Sequence, residues 1–78
     1  MENLQQTRRI NLRGLLFELA TEGFRGLDAQ AAFLTTRAGA LKGMLEHDAI
    51  PAPFARTVEW TMQRREGWLD DDHRTDPF

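Results

Sequence analysis

Leu12, Leu15, Leu16 and Leu19 recur at i, i+3, i+4 and i+7, and no other feature constrains the fold as strongly. That spacing lays four leucines along one side of an α-helix. It cannot line one face of a strand, whose side chains alternate with a period of two. The stripe predicts a helix from Thr7 to about Glu22, with residues 1–6 frayed ahead of it and Gly23 placed as the left-handed residue that stops it. Gly14 sits inside this helix at a cost of about 1 kcal/mol relative to alanine, which hints at close packing there.

Three shorter helical segments follow. Gly26 marks a turn, and Asp28 is placed to N-cap a helix over Ala29–Leu34. Thr35 and Thr36 interrupt, and either hydroxyl can cap the next helix, Arg37–Glu46, in which Leu41 and Met44 form the apolar side. HDAIPAP (47–53) is a connector, because Ile50 and Ala52 each precede a proline and are pushed toward extended backbone. Pro53 suits the first turn of a last helix, Pro53–Arg65, with Phe54, Val58 and Met62 as its core stripe and Gly67 as its stop. Trp68 and Leu69 offer apolar mass that can fold back. The expectation is an all-α, compact bundle of four to five helices over residues 1–70, with 71–78 (DDHRTDPF) as an acidic flexible tail.

Composition removes several function classes. The 78 residues include no cysteine, so disulfides and cysteine-based zinc sites are excluded. No apolar run approaches the roughly 20 residues that span a bilayer. No signal-peptide core opens the chain, so a soluble cytoplasmic protein is expected. His47 and His73 are the only histidines; the run DDDH (70–73) is too contiguous to converge on one ion. Nothing pairs a nucleophile with a base, and no glycine-rich loop is built to cradle phosphate. The chain therefore reads as no enzyme, with no metal, cofactor or small-molecule ligand. Net charge is −2, yet its distribution is uneven. Residues 1–65 carry nine Lys/Arg against seven Asp/Glu, a net +2, while residues 66–78 carry one against five, a net −4. A mildly basic body with acid gathered at the end is compatible with DNA binding.

Four segments, in order, carry a resemblance. RRINLRGLL (8–16) is an opening helix with an Asn-Leu-Arg-x-Leu run. AQAAFL (29–34) places small Ala31 where a partner helix packs. RAGALKGML (37–45) buries Leu41 and Met44. FARTVEW with EGWLD (54–60 and 66–70) forms the ending, and it is the most specific of the four. Together they resemble the lambda-repressor-like family of helix-turn-helix proteins, the phage repressor type that includes Cro, over residues 8–70. Thr35 stands where that family usually has glycine, and Thr36 where valine is common.

The resemblance implies a major-groove reader in segment 37–46, with Thr36, Arg37, Ala38, Gly39, Ala40, Lys42 and Gly43 facing DNA. Arg37 can fork onto guanine O6 and N7, and Lys42 can reach guanine or phosphate. Ala38 or Ala40 can touch a thymine methyl, and Gly39 lets backbone approach closely. Gln30, Arg8, Arg9, Arg13 and Thr36 are candidate phosphate contacts. The alternative for the two-glycine helix is plain helix–helix packing, and for the glutamine and arginines a solvated surface.

Such proteins act as symmetric dimers on palindromic operators, and a dimer surface is also visible in the residues. Trp60 lies roughly 160° around the last helix from the Phe54–Val58–Met62 stripe, on the side of Arg56, Thr57 and Arg64. A large aromatic there asks for a partner, and so do Ile10 and Phe17 off the leucine stripe of the first helix. The expected interface is Trp60, Arg56, Arg64, Trp68 and Leu69; the alternative is that these residues cover a satellite core or the tail, with Trp68 packed against them. The functional expectation is a small sequence-specific DNA-binding regulator, a phage or mobile-element repressor acting as a homodimer. The alternative is a protein-interaction module on the same frame, such as an antirepressor, which the sparse reader helix and the negative total charge favour.

Overall fold

The computed structural model describes residues 3–73 and contains four α-helices and one 3₁₀ turn, with no strand among the described residues. The helices are α1 (Leu4–Thr21), α2 (Leu27–Phe33), α3 (Ala38–Glu46) and α4 (Ala52–Thr61); the 3₁₀ turn is Trp68–Asp70. No helix among the described residues is long and apolar enough to cross a membrane.

Helix α1 starts three residues earlier than its leucine stripe suggests, because the Asn3 side chain accepts the Gln6 N–H at 2.7 Å and caps it. All four stripe leucines are buried in the core. Gly14 lies on the opposite, open face, where an added Cβ would meet nothing within 4 Å. The close packing expected at Gly14 is absent. α2 begins at Leu27 behind Gly26, so Asp28 falls in the first turn instead of capping it. Its negative charge still suits the positive end of the helix dipole.

Three helices end alike. In α1 the Phe24 N–H reaches Leu19 O at 2.9 Å past left-handed Gly23. In α2 the Thr36 N–H reaches Ala31 O at 2.9 Å past Thr35, with φ 60°. In α4 the Arg64 N–H reaches Glu59 O at 2.8 Å past Gln63, with φ 58°. Each is the six-to-one closure that satisfies an orphan carbonyl after a left-handed residue. Thr35 keeps the conformation for which glycine is the easy choice. Gln63 stops α4 at Thr61, four residues before the expected end at Arg65, and Gly67 instead opens the 3₁₀ turn.

The inward side of α4 also differs from the expected stripe. Ala55, Val58 and Glu59 are buried, while Phe54 and Met62 are only half-buried. The 3₁₀ turn packs on both α1 and α4 and inserts Leu69 fully into the core. Polar bonds hold it there. The Glu59 carboxylate, 1% exposed, accepts the Leu69 N–H at 2.7 Å and the Gly67 N–H at 3.0 Å. Asn11 Nδ2 donates to Leu69 O at 2.8 Å and Asp71 O at 2.7 Å. A buried carboxylate is tolerated when hydrogen bonds and a cation meet its charge. Arg56 supplies the cation, its Nη2 bonding Oε2 at 3.2 Å and its Nε 3.0 Å from Oε1 without hydrogen-bond geometry.

Candidate nucleic-acid interface

α2 and α3 pack against each other, joined by the turn Leu34–Arg37, and α3 also lies on α1. Leu41 and Met44 turn α3's apolar side into the core. Gly39, Ala40 and Lys42 are exposed on the rest of the helix, Arg37 is exposed at its extended N-cap, and Ala38 and Gly43 are half-buried. The residues between the two cations carry no side chain longer than a methyl apart from Leu41, which points inward. The outward profile is therefore low, with longer chains only at Arg37 and Lys42.

Neither of those side chains has a hydrogen-bond or ion-pair partner among the described residues. Arg37 is itself the N-cap, with extended backbone and no side-chain cap bond. The expected threonine cap is absent, since the Thr35 hydroxyl donates to Leu34 O at 2.6 Å and Thr36 makes no side-chain bond. The first N–H groups of α3 consequently have no capping side chain. Gly43 has a local reason: a Cβ there would run into the Asp48 carboxylate, which closes over the end of the helix.

The other expected phosphate contacts lie elsewhere. Arg8 is buried, donating from Nη1 to Ile50 O at 2.8 Å and pairing through Nε with Asp70 at 2.7 Å. It faces the interior and presents nothing to a phosphate, because the stripe side of α1 includes position 8. Arg9 donates to Met44 O at 2.8 Å and Asp48 O at 2.9 Å, and Arg13 to Leu45 O. Gln30 spends its amide on Leu16 O at 3.3 Å and Phe24 O at 3.1 Å, tying α2 to the end of α1.

The chain matches no family model, no curated protein and no solved structure.

Arg25 was not singled out by the sequence. It is exposed and unpartnered among the described residues, in the loop between Gly23 (φ 106°) and Gly26 (φ 97°). The two glycines that flank this loop, both with positive φ, were the available signal. Arg25, Arg37 and Lys42 are thus the described cations with no internal bond; Arg56, Arg64 and Arg65, like the α1 arginines, are engaged.

Away from α3 in sequence, Trp60 is 84% exposed, and Phe17 72%. Trp60 borders a groove of about 590 Å³ shared with Thr61, Gln63 and Arg64. Leu69 is fully buried and belongs to no surface, which corrects its expected place at a dimer interface. Trp68 is half-buried under the Arg64 guanidinium at 5.2 Å and stacked on His73 at 4.1 Å. Arg64 also binds Glu18 at 2.8 Å, and Arg56 binds Asp70 at 2.9 Å. Asp71 and His73, expected to be solvated tail, are tied to the body through Asn11, Arg65 and Trp68. Residues 74–78 of that tail lie outside the described residues.

Proposed function

We propose that the chain is a small DNA-binding regulator of the helix-turn-helix type, with α3 as its major-groove reader. The observation that carries this reading is the pair Arg37 and Lys42: exposed, unpartnered among the described residues, and mounted on a ridge of alanine and glycine. Arg8, Arg9, Arg13, Arg56, Arg64 and Arg65 have found carbonyls or carboxylates of their own, as cations near such acceptors do. Two cations left out along one short helix and its N-cap are available for an external anion. Arg37 is the base reader, forking onto a guanine edge, and Lys42 and Arg25 contact phosphate. The uncapped N–H groups of α3 and the Thr36 hydroxyl add neutral donors for a phosphate oxygen. Ala38, Gly39 and Ala40 permit close approach.

Two or three cations give weak binding from one copy, so the reading includes a homodimer on a two-fold symmetric site. Trp60 is its proposed centre, with Arg56, Arg64 and the exposed edge of Trp68 around it. Repression would follow from occupying a promoter.

The test is selection of duplexes from a random pool, followed by titration of affinity against salt. Specific binding with a log–log slope of about −0.9 per neutralised phosphate supports the reading. Affinity that is flat in salt, or no selected sequence, rejects it.

One observation favours a protein partner instead. A mostly apolar groove of about 330 Å³ between α3 and Pro51–Phe54 includes Thr36 and Ala40, residues of the same face. A partner's apolar side chain seated there would bind with little salt dependence, so the same titration separates the readings.

A further inference from the structure

α3 closes with the same six-to-one bond, Asp48 N–H to Gly43 O, but without the left-handed residue of the other three helices. Its C-cap is His47 at φ −155°, and no left-handed residue follows. The helix must still find partners for its last carbonyls, Gly43 to Glu46. Gly43 O accepts the His47 and Asp48 N–H groups at 2.9 and 2.8 Å. The next two are met from another helix: Met44 O takes Arg9 Nε at 2.8 Å, and Leu45 O takes Arg13. Arg9 then reaches past the helix end with Nη2 to Asp48 O at 2.9 Å. We infer that Arg9 and Arg13 are positioning residues, a two-armed clamp from α1 that closes α3 and sets the pose in which Arg37 and Lys42 are presented.

The chemistry suits a clamp. The positive guanidinium groups sit at the negative end of the α3 dipole. Arg9 needs its planar fork, because one side chain must satisfy two carbonyls four residues apart; an ammonium at the same reach has no such geometry. Arg13 lies one turn along α1 from Arg9, so the two arms grip successive carbonyls from one face. The pairs are 32 to 39 positions apart in sequence, so the clamp locks two separate elements together. The structural half of this inference stands alone; its consequence for recognition rests on the DNA-binding reading above.

Amide hydrogen exchange tests the clamp on the full chain, using Arg9→Ala, Arg9→Lys and Arg13→Ala. Protection at residues 43–48 should fall about tenfold or more in each, with α2 unchanged, because each variant removes a charge-assisted bond at that turn. Arg9→Lys keeps the charge and stem, so it remains informative if an alanine variant unfolds. On selected duplex, affinity should drop in all three variants while the salt slope stays at its wild-type value. Wild-type protection in both alanine variants overturns the clamp. So does full recovery by Arg9→Lys together with a slope reduced by about 0.9 in Arg9→Ala, which would make Arg9 a phosphate ligand. If the wild-type chain binds no duplex, the DNA reading falls while exchange still decides the clamp.

Discussion

Arg8 and Asp70, 62 positions apart, meet as a two-pronged ion pair, Nε to Oδ1 at 2.7 Å and Nη2 to Oδ2 at 3.2 Å. Arg56 approaches the same carboxylate at 2.9 Å, so one aspartate joins α1, α4 and the 3₁₀ turn. The Arg8 hydrogen bond, helped by that of Arg56, holds the Asp70 pKa below its ordinary 3.8 against the opposing effect of burial. The unfolded chain therefore takes up this proton at higher pH than the folded one. The resulting stability is complete above pH 3.8 and is lost as pH falls from there through the folded value. Thermal unfolding followed from neutral pH downward should show a falling midpoint below about pH 4. Asp70→Asn should be less stable at neutral pH and lose less on acidification. An unchanged acid slope in that variant would refute the assignment.

Glu59 is the second joint. Glu59→Gln places an NH₂ where the Gly67 or Leu69 N–H needs an acceptor, and it leaves Arg56 with Asp70 as its one remaining carboxylate partner among the described residues. Breaking a buried ion pair from one side costs about 3 kcal/mol. For a chain of this size that lowers the unfolding midpoint by on the order of 12–24 °C. Loss of only a degree or two in calorimetry would show that the turn docks by Leu69 alone.

Thr35 offers the opposite sign. A β-branched residue at φ 60° is strained by roughly 1–2 kcal/mol, and glycine relieves this while losing up to about 1 kcal/mol through its freer unfolded state. Thr35→Gly should therefore stabilise by up to about 1 kcal/mol, raising the midpoint by about 4 °C. A lower midpoint would mean that the Thr35 hydroxyl bond to Leu34 O outweighs the strain.

These three sites mark where the sequence was and was not legible. The leucines of α1 and the Leu41–Met44 side of α3 were plain, because apolar residues at helical period have one way to be buried together. The outward placement of Lys42 followed from the same geometry, whereas Arg37, in register with Leu41 and Met44, is outward because it is the extended N-cap. The internal bonds of the α1 arginines were not legible, since charge alone points outward while their acceptors, the Asp70 carboxylate and backbone carbonyls, lie 32 to 62 positions away. Glu59 escaped notice for a related reason: a carboxylate enters a core only when distant N–H groups meet it. The stop at Thr35 was legible in the Thr35–Thr36 interruption, but the stop at Gln63 was hidden because the left-handed residue there is not a glycine.

Arg37 is the sharpest site of the proposed interface. Arg37→Ala removes an exposed, unpartnered side chain, so stability should change by less than about 0.5 kcal/mol. Specific affinity should fall by about 1–3 kcal/mol, with preference relaxed at one base pair per half-site. Lys42→Ala should weaken all sequences alike and reduce the salt slope by about 0.9 per copy if it meets phosphate. Selection repeated on each variant checks both, and unchanged sequence preference in Arg37→Ala would move the reader elsewhere on α3.

Trp60 is the centre of the proposed dimer. At 84% exposure its ring adds almost nothing to the fold of one copy, so Trp60→Ala should leave single-copy stability within about 0.5 kcal/mol. The groove of Trp60, Thr61, Gln63 and Arg64 lies beside the ring itself. Two copies related by a two-fold axis can each place an indole in the other's groove, the self-complementary arrangement such symmetry requires. An aromatic anchor buried at the centre of an interface is worth at least about 2 kcal/mol. Sedimentation equilibrium should accordingly show a dimer whose dissociation constant rises about thirtyfold or more in Trp60→Ala, that energy at about 1.4 kcal/mol per decade. Binding to two-fold sites should weaken with it, while binding to an isolated half-site stays the same. A wild-type chain that sediments as one copy at every concentration, or a variant that dimerises as well as the parent, would remove Trp60 from the interface and leave α3 to act singly.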